Sequence, residues 1–235
     1  MVLAAGYGTR MRPLTDTRPK PLIEVAGKPL IDYALDGFVA AGVARAVVNV
    51  HYLADMVESH LAKRSTPQII ISDERADLLE TGGGLKKARA ELGAAPIFCT
   101  NTDAILIDGP GPSACTRLAD NFDIDDMDAL LLLVPKTRAT GYDGKGDFDL
   151  GAKGRLQWRS GDTAEYVFTG LQILSPSLLD GAPDGAFSTK VLWDRAHAAG
   201  RLRGVVHDGH WMHVGDPDGL AQANAFLAQA AHRHT

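Results

Sequence analysis

Apolar positions along this chain fall into two alternating patterns: short unbroken runs, and runs spaced three and four apart. Residues 1–5 form a short apolar run that stops at Gly6, which predicts a buried strand feeding a glycine turn. Leu30, Ile31, Ala34, Leu35, Phe38 and Val39 recur at helical spacing, with Pro29 near the start and Gly42 at the end. Residues 46–50 predict a second strand, 54–63 a helix, 68–72 a strand, 84–92 a helix and 96–100 another apolar strand. After a Gly/Pro turn at 109–112 comes an acidic stretch, 120–128, read as a solvated loop rather than a metal site. Residues 129–134 predict a buried strand, and 141–161, rich in glycine and charge, short hairpins. Then come a strand over 166–174, a helix over 189–199, a strand over 202–206 and a last helix over 217–231.

Strands alternating with helices predict a parallel sheet with right-handed crossovers. Ligands of such sheets sit beyond the carboxyl ends of the strands. Those ends carry Gly6, residues 72–74 and residues 101–103, so the unusual residues converge on one rim. No internal repeat or linker interrupts the pattern. Residues 1–235 are read as a single domain, with the segment near 135–185 as a substrate lid.

Composition narrows the function classes. Hydrophobic residues make up 45% of the 235, enough for a sizeable core. The net charge of −5 argues against a general nucleic-acid binder, which needs a basic footprint. Cys99 and Cys115 are too few for a disulfide framework and suggest a reducing, cytoplasmic compartment. No apolar run approaches the ~20 residues of a membrane span. Gly6, Gly8 and Arg10 interrupt the start of the chain, so no signal peptide is expected.

The chemistry concentrates in LAAGYGTRMRPLTDTRPKPL over residues 3–22. Gly6 and Gly8 permit backbone geometries that aim amide N–H groups at one spot, where a polyphosphate is the natural occupant. Arg10 and Lys20 can bring positive charge to it, the first as a fork of donors and the second as a compact ammonium. A bare Gly-x-Gly is equally compatible with a plain structural turn. The dinucleotide fingerprint fails because Met11 stands where its third glycine belongs. A Walker A loop around Gly27-Lys28 would need glycine at Leu22 and Ser or Thr at Pro29. No Ser/His/Asp or Cys/His pattern stands out, and Cys99, inside an apolar strand, reads as a small core residue.

The full string resembles the signature of the sugar-1-phosphate nucleotidyltransferases, LAAGxGTRxxPLTxxxPKPL, with every fixed position filled. The resemblance continues through Gly27-Lys28-Pro29-Leu30, Leu79-Glu80-Thr81-Gly82-Gly83, Asn101-Thr102-Asp103, Thr169-Gly170 and Trp211-Met212-His213-Val214-Gly215, and so spans nearly the whole chain. It implies an α/β, Rossmann-like three-layer nucleotidyltransferase fold with a mostly parallel mixed central sheet. It also implies attack of a sugar 1-phosphate oxygen on the α-phosphorus of a nucleoside triphosphate, with pyrophosphate leaving. Such chemistry is mainly positioning and charge neutralisation. On this resemblance the catalytic residues are Arg10, Lys20 and Asp103. The nucleotide site draws on Leu3, Ala4, Ala5, Gly6, Gly8, Thr9, Arg10, Lys20, Glu80, Thr81, Gly82 and Asn101. The loop at 79–84 would lie along the base; read by itself it is a glycine-rich helix entry with Thr81 as N-cap. The turn at 73–75 is a weaker candidate for base contact.

Two positions depart from the family. Thr102 occupies the middle of a triplet that is usually Asn-Gly-Asp. His213 stands where the pattern W-x-D-[VI]-G-T carries a second metal-binding carboxylate. The expected metal ligands are therefore Asp103 and His213, for Mg²⁺ or, because imidazole suits later divalent ions, Mn²⁺ or Co²⁺. Asp216 and Asp208 are the residues that could compensate for a missing carboxylate. By position in the family pattern, Gly146, Gln157, Thr169 and Gly170 could face the sugar, and each could equally be an ordinary hairpin or strand residue, while Trp158, Trp193 and Trp211 read as core. The LETGGG form and Gly144-Lys145-Gly146-Asp147-Phe148 are most similar to N-acetylmuramate-1-phosphate uridylyltransferases, with guanylyltransferases of mannose 1-phosphate as the alternative. The implied partners are UTP and a sugar 1-phosphate, with no nucleic acid or membrane, for a monomer or small homo-oligomer. A glycosyltransferase that uses a nucleotide sugar needs no Arg10/Lys20 pair. A catalytically silent nucleotide-sugar binder is motivated by His213 alone.

Overall fold

The computed structural model of the protein describes residues 1–232. In chain order the strands are β1 (Val2–Leu3), β2 (Glu24–Val25), β3 (Lys28–Pro29), β4 (Arg45–Val50), β5 (Gln68–Asp73), β6 (Ile97–Asn101) and β7 (Ala104–Ile107). There follow β8 (Ala129–Pro135), β9 (Ala139–Thr140), β10 (Phe148–Leu150), β11 (Leu156–Trp158), β12 (Tyr166–Leu174), β13 (Leu202–Val206) and β14 (His210–His213). The helices are α1 (Leu30–Ala40), α2 (Ala54–Leu61), α3 (Glu80–Lys87), α4 (Arg89–Leu92), α5 (Ala114–Asn121), α6 (Lys190–Ala198) and α7 (Pro217–His232).

The central sheet is mixed and mostly parallel. Strands β5, β4, β1 and β6 lie side by side in parallel. Next to β6 comes β12, antiparallel, then β8, with β13 parallel to β8. Alternation along each strand feeds two cores. Val47, Leu131 and Leu133 face one side with Leu85, Leu192 and Trp193. Ala46, Val48, Leu130 and Leu132 face the other with Ile31, Leu35, Phe38, Val57 and Leu118. Helices α3 and α6 therefore cover one face and α1, α2 and α5 the other, which makes three layers.

A small second sheet, β7-β14-β9, packs under α7. Its strands are two to four residues long, too short for periodicity to announce them. Helix α5 is likewise absent from the expected pattern. It carries few apolar residues and depends on Ser113, whose Oγ accepts the Thr116 amide at 3.2 Å. The acidic stretch thus begins in that helix's last turn. Two of its carboxylates also form ion pairs, Asp126 with Arg203 and Asp128 with Arg201, both at 2.9 Å.

Helix α3 starts at Glu80 rather than at Gly84, and a break at Ala88 splits the expected helix in two. Three consecutive glycines have poor helix propensity, so tertiary contacts supply what the local sequence lacks. Within the range read as a lid, β12 is a central strand, and Phe148 and Leu156 of the β10–β11 hairpin are buried in the core.

Candidate active site

The carboxyl ends of β1, β4 and β6 open onto a cavity of about 480 Å³. Every nucleotide position expected from the sequence lines it except Gly82. The chain leaves β1 and turns at Gly8, which is left-handed at φ 63° and ψ 34°, into a short 3-10 turn over Thr9–Met11. The Thr15 hydroxyl and the Met11 amide both donate to the Gly8 carbonyl at 2.9 Å. Met11 is fully buried and anchors the turn, while its neighbour Arg10 lines the cavity and makes no ion pair among the described residues. Gly6 departs from expectation: its φ lies outside the left-handed region, and a Cβ there would meet nothing within 4 Å. The turn requirement falls on Gly8, and Gly6 leaves open space.

A second 3-10 turn, Lys20–Leu22, delivers Lys20 to the same cavity. Its Nζ donates to Asp103 Oδ2 at 2.9 Å. His213 Nε2 stands 3.7 Å from that same oxygen. Both contacts fall on Oδ2, so the other carboxylate oxygen carries neither. Burial raises the Asp103 pKa, but the charges of Lys20 and His213 and their hydrogen bonds outweigh it and hold the group well below the usual carboxylate range. Asp103 is therefore ionised.

Register places His213 here. In the antiparallel pair β14·β7, His213 sits opposite Ala104, the residue after Asp103. The Val214 amide donates to the Asp103 carbonyl at 2.8 Å and locks that alignment. Two residues earlier on the same strand face, Trp211 is buried and donates to the Thr169 carbonyl at 2.9 Å. The His213 ring stacks on it, with centroids 5.6 Å apart and planes at 17°. A Cβ at Gly215 would come within 2.4 Å of the ring, so glycine there makes room for the imidazole. His213 both packs on Trp211 and faces Asp103.

The other two aspartates are engaged with partners of their own. Asp208 is paired with Arg117, and Asp216 accepts the Gly219 amide at 2.8 Å at the start of α7. Among the described residues no group of three or more His, Cys, Asp or Glu is arranged to hold a metal. The protein instead offers one ionised carboxylate and one imidazole beside a cavity with room for phosphates. That donor set fits a divalent cation, because Mg²⁺ commonly uses one or two carboxylates and takes its remaining ligands from water and substrate phosphate. Thr102, the other departure, is 6% exposed and donates its hydroxyl to the Leu3 carbonyl at 3.3 Å, tying the Asp103 turn to β1.

The far end of the cavity is formed by Leu78, Glu80, Thr81 and Ser188. Glu80 is left-handed at φ 58°, unusual for a residue with a side chain. The segment leading to α6 wraps this first turn of α3. The Phe187 carbonyl accepts the Gly82 amide at 2.8 Å and the Gly83 amide at 3.1 Å. A Cβ at Gly82 would meet the Phe187 ring at 2.4 Å, and one at Gly83 the Gly185 carbonyl at 2.3 Å. Gly82 thus has no free amide for a base, and it is turned toward Phe187. Thr81 is no N-cap either; its hydroxyl accepts the Thr189 amide at 2.8 Å. Glu74, in the turn that is the weaker candidate for base contact, is fully buried.

Gly146, Gln157, Thr169 and Gly170 do not line the cavity. Thr169 is 1% exposed and donates to the Leu132 carbonyl at 3.0 Å, so it serves the core. Gly146 accepts no Cβ because of the Ala164 carbonyl at 2.3 Å, and Gln157 lies on the β10–β11 hairpin. Gly170 alone abuts a lining residue, with its hypothetical Cβ 3.3 Å from the Asn101 side chain. Burial pushes the Cys99 thiol up to about 11, as befits an inert core residue.

Asn49, Leu78, Ser188 and Gly215 also line the cavity and were not expected. For Asn49 a signal existed: it is a lone amide inside the apolar run 46–50. Ser188 joins from more than a hundred residues beyond Thr81 and carries no such mark.

Comparison with known proteins gives the family and the fold. The family model for nucleotidyl transferases matches residues 1–154. The chain is 50% identical to the N-acetylmuramate alpha-1-phosphate uridylyltransferase of Caulobacter vibrioides, covering 98% of this chain and 97% of that protein. It is 34% identical to the enzyme of the same name from Neisseria meningitidis, over 96% of each. Among solved structures, a putative glucose-1-phosphate thymidylyltransferase from Bacillus anthracis superposes with a TM-score of 0.79 over 96% of this chain and 93% of that one, at 17% identity, and so shares the fold.

Proposed function

From the premise that this chain belongs to the nucleotidyl transferase family, we propose that it transfers uridylyl from UTP to N-acetylmuramate 1-phosphate, giving UDP-N-acetylmuramate and pyrophosphate. The observation that carries the reaction type is the single cavity in which Gly8, Arg10 and Lys20 meet the ionised Asp103. The choice of UTP and of the sugar rests on the relative that is 50% identical over nearly the full length.

In this reading the phosphates of UTP lie over the Gly6–Gly8 loop. Arg10 neutralises the departing pyrophosphate. Lys20 sits between the α-phosphate and the sugar phosphate, where negative charge concentrates as the new oxygen–phosphorus bond forms and the bond to the β-phosphate breaks. A sugar phosphate oxygen is already a nucleophile at neutral pH, so no covalent enzyme intermediate is needed. Asp103 and His213 hold a divalent cation, Mg²⁺ first and Mn²⁺ or Co²⁺ as alternatives, which when bound supplies further positive charge to the phosphates. The base lies toward Leu78, Glu80 and Thr81.

The sugar lies toward Asn101 and Gly170, and of the four sugar positions Gly170 is retained. The lid narrows to the connections 141–147 and 159–165, outside the core strands. The two free, buried cysteines suit a cytoplasmic enzyme, and no helix among the described residues is long and apolar enough to cross a membrane.

A pyrophosphate-release screen of four nucleoside triphosphates against a panel of sugar 1-phosphates tests the reading. The expected result is turnover with UTP and N-acetylmuramate 1-phosphate above every other pair. Equal or better turnover with GTP and mannose 1-phosphate overturns the substrate assignment. No pyrophosphate with any pair overturns the enzyme itself and leaves a nucleotide-sugar binder.

A further inference from the structure

Behind the cavity runs a chain of buried hydrogen bonds that the proposed substrate contacts do not use. The Ala4 amide donates to Asn49 Oδ1 at 2.7 Å. Asn49 Nδ2 donates to Glu74 Oε1 at 2.8 Å. The Leu79 amide donates to Glu74 Oε2 at 3.3 Å. Asn49 is 2% exposed and Glu74 0%. Glu74 forms no ion pair among the described residues.

A carboxylate buried without a cation is costly and persists only where donors satisfy it. Each link in this relay has one polarity. Backbone amides donate, a carboxylate accepts, and the carboxamide of Asn49 accepts from Ala4 with its oxygen while donating to Glu74 with its nitrogen. The third glycine of α3 is part of the same device. A Cβ at Gly84 would stand 2.8 Å from Glu74 Oε1 and 2.9 Å from Asn49 Nδ2, so the helix approaches the pair only as glycine.

The ends of the relay lie in the cavity walls. Ala4 and Asn49 line the cavity beside β1 and β4. Leu79 stands between the lining residues Leu78 and Glu80, the second of which holds a left-handed backbone that nothing in its own side chain favours. The relay therefore ties the exit of β1 to the strained entry of α3.

We propose that Asn49 and Glu74 are positioning residues for the nucleobase, setting the slot between Ala4 and the Leu78–Glu80 turn through their mutual hydrogen bond. This rests on the reading of the cavity as a nucleotide site, and it adds two residues that act on base binding rather than on the phosphates.

Polarity makes the proposal testable by exchange. Asn49→Asp sets two buried carboxylates against each other. Glu74→Gln sets a donating amide against either Asn49 Nδ2 or the Leu79 amide. Combining the two substitutions restores every bond. The carboxylate now at position 49 accepts from the Ala4 amide and from the carboxamide N–H at position 74, whose carbonyl oxygen in turn accepts from the Leu79 amide. Calorimetric titration with UTP in the presence of Mg²⁺, together with steady-state kinetics at saturating sugar 1-phosphate, reads the effect. Each single variant is expected to weaken UTP binding and raise its KM by about tenfold or more, with kcat at saturating UTP within about threefold of wild type.

The double variant should return UTP affinity to within about threefold of wild type. Single variants that fold and bind UTP as wild type does would overturn the proposal, whatever their melting temperatures. Where the single variants fail to fold, the double variant decides alone: recovery within that margin supports the relay, and weaker binding or failure to fold overturns it. Wild-type protein that binds no UTP refutes the nucleotide-site reading itself, an outcome visible before any variant is made.

Discussion

At the end of the cavity proposed for the phosphates the contacts are between charges: Lys20 on the Asp103 carboxylate at 2.9 Å, His213 at 3.7 Å from the same oxygen, and Arg10 unpaired among the described residues. Those side chains are partly exposed, with Lys20 at 13% and Asp103 at 24%. At the end proposed for the base the contacts are hydrogen bonds within the wall itself: Ala4 to Asn49 to Glu74 to Leu79, and Phe187 over the first turn of α3. Only charge can answer the charge that moves during phosphoryl transfer, so that end keeps ionised groups where substrate can reach them. A base offers shape and a few hydrogen-bonding atoms, so that end relies on a wall that does not yield. The two ends should therefore fail differently, one in rate and metal dependence and the other in nucleotide affinity and stability.

The largest effect should follow removal of the charge at the phosphate end. Lys20→Ala is expected to lower kcat by more than about 100-fold, the scale of about 3 kcal/mol for one transition-state contact. Steady-state assays beside a thermal melt check it; a folded variant within threefold of wild type would remove Lys20 from the machinery. Asp103→Asn keeps the shape and loses the charge. Activity should fall roughly 10- to 100-fold with Mg²⁺, Mn²⁺ and Co²⁺ alike, since bonds to charged groups are worth about 1.5–3 kcal/mol. Recovery with any one of these metals would contradict the assignment.

The base end is broken by crowding instead. Gly83→Ala drives a Cβ toward the Gly185 carbonyl, 2.3 Å away. Overpacking of this kind costs about 1–3 kcal/mol, which at this chain length lowers Tm by roughly 2–12 °C. The KM for UTP should rise several-fold with kcat nearly unchanged, the reverse of the Lys20 pattern. A kcat loss without a change in KM would erase the distinction between the two ends. The smallest effect is expected at His213. His213→Asp adds a hard oxygen ligand and should lower the Mg²⁺ concentration for half-maximal rate by about threefold. An unchanged requirement in a well-folded variant removes His213 from the metal site and leaves its stacking on Trp211 as its role.

The strands Tyr166–Leu174 and Leu202–Val206 are legible to the residue, because each is rich in aliphatic, β-branched or aromatic side chains and is bounded by polar residues or glycine. The course of the glycine loop proposed to hold phosphates is equally legible. Its glycines, arginine and lysine are close in sequence, and two local 3-10 turns suffice to bring them to one place. Helix α3 is not: Gly82 reads as an amide aimed at a base, yet that amide is spent on Phe187, about a hundred residues away. The sugar positions mislead for a related reason. Thr169 and Gly146 sit in conspicuous motifs, but their surroundings, Leu132 and Ala164, turn them into structural residues.

By itself, then, the sequence determined the layered α/β architecture and the rim on which the unusual residues gather, both through periodicity. The glycine loop with Arg10 and Lys20 is contiguous in the chain, and the resemblance to the family added the distant Asp103 to it. Only the tertiary structure decided that His213 faces Asp103, through a register that pairs it with Ala104 in two strands of four residues. It also decided that Asn49 and Glu74 share one hydrogen bond beneath Gly84. Both outcomes depend on which distant backbones pack within reach of a side chain, and a hydrogen bond reaches no farther than about 3 Å.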